Sequence, residues 1–478
     1  MKNKQKSLKL NFIMNAILTM SSFLFPLITF PYVSRVLLPA GTGRVSFANS
    51  VVTYFVMISQ LGIPTYGIRA CAVVRDDEEK LKKTVYELFI INVVMSILAY
   101  VVFFIALASV PRLRADRKLF LITSTLIFFN TIGVEWLYKA LEQYTYITIR
   151  SIIFKFIALI AMFVLVRNVD DYVIYGGISI FAASASNVFN FIRLRKIIGT
   201  KKVTNLNFKK HFKSVFTFFI ISCATTIYTN LDNVMLGFMK DDVEVGYYNA
   251  ATKIKNILVS IVTSLGTVLM PRASYYIQQE MWDEFYKLSK KAIKFVLLAA
   301  TSMMIYFMIF AREGVLFLSG EAFGGAVVPM IIVMPTLLFI GLTNIMGIQM
   351  LIPMGKENAV MISTFAGAIV DLILNAIFIP FLGSSGAAIG TLVAEFVVLI
   401  VQMVYLKKDQ SYFKIIIALA ISTVVVLAVK HFISGVLVKL VISAVLFFGV
   451  YVVMLYIMKE EVVSENLNKI FCKIRKKN

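Results

Sequence analysis

The chain has 478 residues, of which 59% are hydrophobic, with a mean hydropathy of +0.84 and a formal net charge of +22. Such hydropathy excludes an ordinary soluble domain, and apolar runs of about 20 residues, each able to span ~30 Å of hydrocarbon as a helix, recur from end to end. Strand-like alternation is absent, which argues against a membrane barrel, and the basic residues sit between apolar runs, which argues against nucleic-acid binding.

In chain order, Lys2, Lys4, Lys6 and Lys9 precede the first apolar run. That run is too long for a signal peptide and no small-residue cleavage site follows it, so it reads as a first membrane helix. Fourteen spans are expected, at 10–38, 44–70, 84–109, 118–140, 146–166, 172–194, 214–238, 246–270, 290–311, 325–352, 358–381, 385–406, 412–431 and 434–458. The longest polar connection is Arg193–Lys213, too short for a soluble domain. Cys71, Cys223 and Cys472 are scattered and suggest neither a disulfide framework nor a metal site, and His211 and His431 lie near helix ends, which excludes zinc.

With the N-terminus inside, about 34 of the 48 Lys and Arg fall in cytoplasmic segments and about 11 outside, which favours both termini in the cytoplasm. Arg112, Arg114, Arg117 and Lys118 break the rule by facing outward. Lys155, Lys253 and Lys255 lie inside spans.

The chain repeats itself. Pro31–Ser50 lies over the stretch Ile227–Ala251, with Ser34 on Asp232, Arg35 on Asn233 and Leu37-Leu38 on Met235-Leu236. Pro64…Arg69-Ala70 matches Pro271-Arg272-Ala273, and each is followed by acids and then bases: Asp76–Glu79 with Lys82-Lys83, and Asp283-Glu284 with Lys290-Lys291. Leu137–Tyr146 lies over Leu351–Val360, and Leu194-Arg195-Lys196 over Tyr405-Leu406-Lys407. The expected architecture is an all-α membrane protein of two pseudo-symmetric six-helix lobes, residues 1–198 and 199–409, followed by two further helices and a cytoplasmic tail, 410–478. Six is even, so the repeat is parallel, and rocking between the lobes is the expected motion.

Glu135-Trp136-Leu137-Tyr138-Lys139-Ala140-Leu141-Glu142-Gln143-Tyr144, followed by Ile147–Ser151, resembles a signature of the polysaccharide transporter family, the Wzx-type flippases. Leu231–Gly237 and Val245–Ala251 resemble the same family. The resemblance implies the fold shared by multidrug and toxic-compound exporters (MATE, MOP superfamily) and the lipid II flippase. It also implies a substrate, undecaprenyl-pyrophosphate-linked oligosaccharide, moved from the inner to the outer leaflet of the bacterial cytoplasmic membrane. No catalytic chemistry is implied and no cofactor beyond a coupling Na⁺ or H⁺. The partners are the lipid-linked glycan, membrane lipids and polysaccharide polymerase or assembly proteins; one chain supplies both lobes, so a monomer suffices.

A pyrophosphate and a glycan need a wet, cationic path, and basic residues within or beside spans are the candidates: Arg35, Arg44, Arg69, Lys253, Lys255 and Arg272. The plain reading makes Arg69, Arg150 and Arg272 positive-inside anchors and lets Arg44 snorkel outward. Arg35, Lys253 and Lys255 lie deeper, lining a cavity or pairing with Asp232. Asp371 and Asn375 share one helix face, as do Thr391 and Glu395. With Asp232 they lie at similar depth and offer hard oxygen ligands, a candidate Na⁺ or H⁺ coupling site whose alternative is a hydrogen-bonded packing cluster. Glu135, Lys139, Glu142 and Arg150 form a clasp or a cytoplasmic gate. Trp136, Tyr138, Tyr247 and Tyr248 read as interface anchors in preference to sugar platforms. Pro26, Pro31, Pro64, Pro329, Pro335 and Pro353 permit bends, and spans 13 and 14 either flank a groove for the lipid tail or simply face lipid. The rival readings are a drug/cation antiporter on the same fold, a membrane glycosyltransferase, and a non-transporting envelope scaffold.

Overall fold

The computed structural model describes residues 8–199, 205–406 and 436–457, which are helical almost throughout and contain no strand. The chain divides into two compact units, Met1–Gly246 and Tyr247–Asn478. The first unit thus reaches past the lobe boundary that the repeat suggests, because the helix opening the second repeat packs along the first helix of the chain.

The opening helix, α1 (Leu8–Gln60), carries the first two expected spans without interruption. Its 53 residues would extend ~80 Å, too long for one crossing. The division falls at Leu38, whose φ of 59° and ψ of 178° break the helix. Leu38 precedes Pro39, and a proline ring drives the residue before it out of the helical region. A second break separates α1 from α2 (Ile63–Val73): Gly62 takes a φ of 72° and lies so close to the backbone of Val215, Phe218 and Phe219 that a methyl group would have no room.

Asp77 caps α3 (Glu78–Ser109) by accepting the Lys80 amide at 3.0 Å, and Glu78 and Glu79 complement the helix dipole. Hydrogen bonds from the Lys80 side chain and amide hold the Asp77 carboxyl below its usual range. After a single turn at Pro111–Ala115, α4 (Arg117–Gly133) ends where Val134 takes a left-handed conformation, and α5 (Glu135–Ala140) leads to α6 (Tyr144–Leu165). Helix α7 (Tyr172–Ile180) continues through a π-helical turn, Phe181–Ala185, into α8 (Asn187–Ile198). Then come α9 (Lys209–Met239) and α10 (Asp242–Gln278), the latter bent by 42° between Ser264 and Leu269.

In the second unit, α11 (Trp282–Ile309) and α12 (Ala311–Ser319) precede α13 (Val327–Val333) and α14 (Thr336–Thr343). The segments Glu321–Val333 and Thr336–Leu351 meet at 47° around Pro335. Helices α15 (Glu357–Leu382) and α16 (Ser384–Leu406) form a close antiparallel pair. Helix α17 (Val436–Ile457) packs on α11 through Tyr306, Phe310, Phe447 and Tyr451, and Tyr451 donates to the Leu298 carbonyl at 3.2 Å.

Among the described residues, nine helices are long and apolar enough to cross a membrane, or eleven when each bent pair is one span. The difference from fourteen has three sources. Spans 1 and 2 share α1, span 4 is broken at Val134 into pieces of 17 and 6 residues, and span 13 lies outside the described residues. Large apolar side chains point outward: on α3, Val94, Ile97, Val101, Phe104 and Ile105 are each half exposed or more. An outward apolar face has no penalty in lipid, and the chain is a multi-pass membrane protein.

Candidate functional site

Charged and polar groups gather at three places in the first unit and one in the second. The first is built around the Leu38 kink. Asp242, at the start of α10, accepts from Arg44 Nε at 3.3 Å and also pairs with Arg112. Arg112 donates to the Gly237 carbonyl at 2.9 Å and lies 4.8 Å over the Phe47 ring. Asp116 completes the network, 3.6 Å from Arg112 and 3.9 Å from Arg44, and accepts from the Tyr172 hydroxyl at 3.1 Å. Three glycines make this approach possible. A methyl group at Gly43 would collide with the Asp242 carbonyl, one at Gly246 with the Pro39 carbonyl, and one at Gly237 with the Phe47 ring. Gly237 and Gly246 are the glycines of the two family-like stretches, so those stretches encode a backbone-to-backbone contact between the kink of α1 and the α9–α10 turn.

Arg44 therefore does not simply snorkel: it pairs with two carboxylates and lies 4.9 Å over the Tyr172 ring, with its side chain 39% exposed. The unexpected charge of Arg112 is explained too, since it neutralises Asp242 and Asp116 and is not a free topology signal.

The second cluster lies at the other end of α9. Glu87 of α3, fully buried, accepts from Lys210 at 2.7 Å and the Asn207 amide at 2.6 Å, and its carboxylate is 2.9 Å from His211 Nε2. The other ring nitrogen of His211 is 2.8 Å from the Tyr66 hydroxyl of α2. A buried carboxylate with three polar neighbours is stable where an unpaired one is not. Sequence reading passed over Glu87 because it opens an apolar run, where charge usually meets the interface.

The third cluster holds the signature Glu135–Tyr144. Glu135 pairs with Lys139 at 2.8 Å and stands 3.7 Å from Arg150, and Glu142 accepts from Arg75 at 2.8 Å and from Asn11 at 3.5 Å. Arg150 is buried, donating to the Ser186 carbonyl at 2.7 Å and Asn187 Oδ1 at 3.0 Å. The anchor reading of Arg150 is thus corrected: it joins α6 to the start of α8 through Ser186 and Asn187. Trp136 and Tyr138 are not interface anchors either. Both are buried, Trp136 against Gly67, where a methyl would meet its ring at 2.8 Å, and Tyr138 donating to the Asn190 carbonyl at 2.6 Å.

In the second unit, Asp371, Asn375, Thr391 and Glu395 are all buried where α15 meets α16. Gly390 lets Asp371 and Asn375 approach α16, since a methyl there would sit 2.9 Å from Asp371 Oδ1 and overlap Asn375 Oδ1. The Tyr248 hydroxyl is 2.7 Å from Thr391 Oγ1. Tyr248 is buried, contrary to the interface reading, and Tyr247 packs on Phe323 with centroids 6.4 Å apart. Asp371 and Asn375 of α15 thus face Gly390 of α16, and Thr391 meets Tyr248; Asp232, buried too, belongs to the first unit. Among the described residues no three His, Cys, Asp or Glu gather as a metal site would require.

The remaining candidates are dispersed. Arg35 is exposed on α1 and donates to the Pro31 carbonyl. Arg69 is exposed, and Arg272 is exposed with its guanidinium 5.5 Å from the Tyr276 ring, as end-of-helix anchors would be. Lys253 is half-buried and Lys255 buried on α10.

Residues 8–277 match a family model described as polysaccharide biosynthesis protein, and residues 218–377 match the MatE model. A protein of Escherichia coli (strain K12) named "Putative O-antigen transporter" is 23% identical over 415 residues, 86% of this chain and 99% of that protein. Among solved structures, the lipid II flippase MurJ in an inward closed conformation superposes with a TM-score of 0.72 at 16% identity, covering 94% of this chain and 100% of that one. An inward-facing multidrug resistance MATE transporter gives 0.63 at 14% identity, with 83% and 97% covered. The chain is accordingly a member of the polysaccharide biosynthesis protein family, built on the transporter fold common to MurJ and the MATE proteins.

Proposed function

We propose that the protein is a flippase that carries undecaprenyl-pyrophosphate-linked oligosaccharide from the inner to the outer leaflet of a bacterial cytoplasmic membrane. The observation that carries this reading is the match along 99% of the length of the O-antigen transporter relative. The two lobes of the sequence repeat, 1–198 and 199–409, alternate access, and both termini lie in the cytoplasm. The Asp242 network is the outer closure: it joins the first repeat to the second with ion pairs, which can separate and re-form, over glycine contacts that leave no gap when shut. The Glu87 cluster joins the same two repeats at the inner end.

Asp371, Asn375, Thr391 and Glu395, with Tyr248, form the coupling site. Every donor in the set is oxygen, which suits a hard cation such as Na⁺, and two carboxylates allow proton coupling instead. Once the glycan and diphosphate are inside, Arg35, Lys253 and Lys255 offset the substrate charge. The MatE match over 218–377 favours a second reading, an antiporter for lipophilic cations.

Flipping of a fluorescent undecaprenyl-pyrophosphate oligosaccharide in proteoliposomes, with and without Na⁺ or proton gradients, separates the two. Gradient-dependent flipping is expected. Export of a lipophilic cation with no glycan flipping would transfer the case to the antiporter.

A further inference from the structure

Lys155 is a cation in the middle of a membrane helix that the clusters above do not use. It lies 11 residues from the start of α6 (Tyr144–Leu165), about 16 Å along the axis and close to its midpoint. A charge at that depth is expensive and belongs on a wet or protein-facing side. The helix confirms the side. Ile152, Ile153, Phe156 and Ile157 are exposed to the lipid, whereas Ala158 and Met162, at three and seven residues beyond Lys155, are buried.

Lys155 Nζ donates to Ser21 Oγ at 2.8 Å and Ser22 Oγ at 3.0 Å of α1, and each serine passes its own proton to the Leu18 carbonyl, at 2.7 and 3.2 Å. Among the described residues no carboxylate stands within ion-pair distance of Lys155. An ammonium has three donors, so two neutral acceptors leave one N–H without a partner, and Glu135 acts on the charge only from beyond ion-pair distance.

Ser22 is exposed, and so are Thr19 and Asn15. The spacing of these three residues puts them on one face of α1. Serine and threonine satisfy themselves on their own helix and tolerate lipid. An exposed asparagine side chain and a lysine do not, so this face of α1 is wet.

We propose that Lys155, with Ser21 and Ser22, is a mid-membrane binding site for the diphosphate of the translocated lipid. The third ammonium N–H donates to a phosphate oxygen, and the serine hydroxyls rotate from the Leu18 carbonyl to donate to the same group. The site halves the distance the anion must travel across hydrocarbon without a counter-charge. This assignment rests on the flippase reading for the nature of its ligand.

The test uses the full chain in nanodiscs, with undecaprenyl diphosphate and undecaprenol as probes. Lys155→Met is expected to weaken diphosphate binding at least tenfold, the loss of one charge-assisted hydrogen bond, and to leave undecaprenol binding unchanged. Lys155→Arg, which keeps the charge, is expected to restore most of the affinity. Ser22→Cys is expected to react with a charged, water-soluble methanethiosulfonate, and diphosphate to protect it. Equal diphosphate affinity in wild type and Lys155→Met overturns the assignment while leaving the flippase reading intact. No diphosphate binding by wild type overturns both. An unreactive Ser22→Cys in folded protein, or equal losses for the two probes, overturns it as well, leaving Lys155 a structural link between α1 and α6.

Discussion

Replacing Asp242 by Asn should open the closure at the Leu38 kink. Asp242 pairs with both Arg44 and Arg112 at shorter range than Asp116 does, and the two arginine side chains are 39% and 25% exposed, so each pair is partly screened by solvent. Partly exposed pairs contribute up to about 1 kcal/mol each, and the loss of two therefore weakens the closed state by about 1–2 kcal/mol. That corresponds to roughly a 5- to 30-fold shift toward the open state. Val45 reports the shift, because it is 2% exposed beside the kink and comes into water only when the contact parts. With Val45→Cys as the sole reactive thiol, a water-soluble maleimide should label the Asp242→Asn protein about tenfold faster than the parent. Raising the salt concentration should accelerate the parent in the same direction. Unchanged labelling in folded Asp242→Asn protein would refute the argument and reduce both pairs to decoration of a contact held by the glycines.

Glu87→Ala should cost about 3 kcal/mol in detergent unfolding, since it leaves the buried His211 and the Asn207 amide without their acceptor. Lys210→Ala, whose side chain is 42% exposed, should cost about 1 kcal/mol or less, and equal losses would contradict the burial argument. Gly390→Ala should abolish any gradient dependence of flipping, because its methyl occupies the space of the Asp371 and Asn375 oxygens; full coupling in that variant would remove the site. Arg150→Lys should lower stability by about 2 kcal/mol, measured by thermal unfolding, because one ammonium cannot reach the Ser186 carbonyl, Asn187 and Glu135 together.

The spacing of four that puts Asp371 with Asn375 and Thr391 with Glu395 on shared helix faces was legible in the sequence, and all four side chains are buried. The contact of Tyr248 was not legible, since its hydroxyl reaches Thr391 across 143 residues. Arg112 left a trace, a basic group on the side where the charge rule forbids it, but a trace of this kind names no partner. Lys155 was visible as a cation inside a span, and only the contact with Ser21 and Ser22 gave it a chemistry.

The sequence by itself determined that the chain spans a membrane as helices and where most of them begin and end. Hydropathy and helix period are properties of neighbours along the chain, and lipid admits few other solutions for the backbone. The tertiary structure decided which charges meet. Arg44 and Asp242 are 198 residues apart, and Glu87 and His211 are 124 apart. Whether a buried charge is a site, a latch or an anchor depends on what lies within 4 Å of it, and that distance is set by packing between helices, where Gly43, Gly237, Gly246 and Gly390 remove the side chain that would keep them apart.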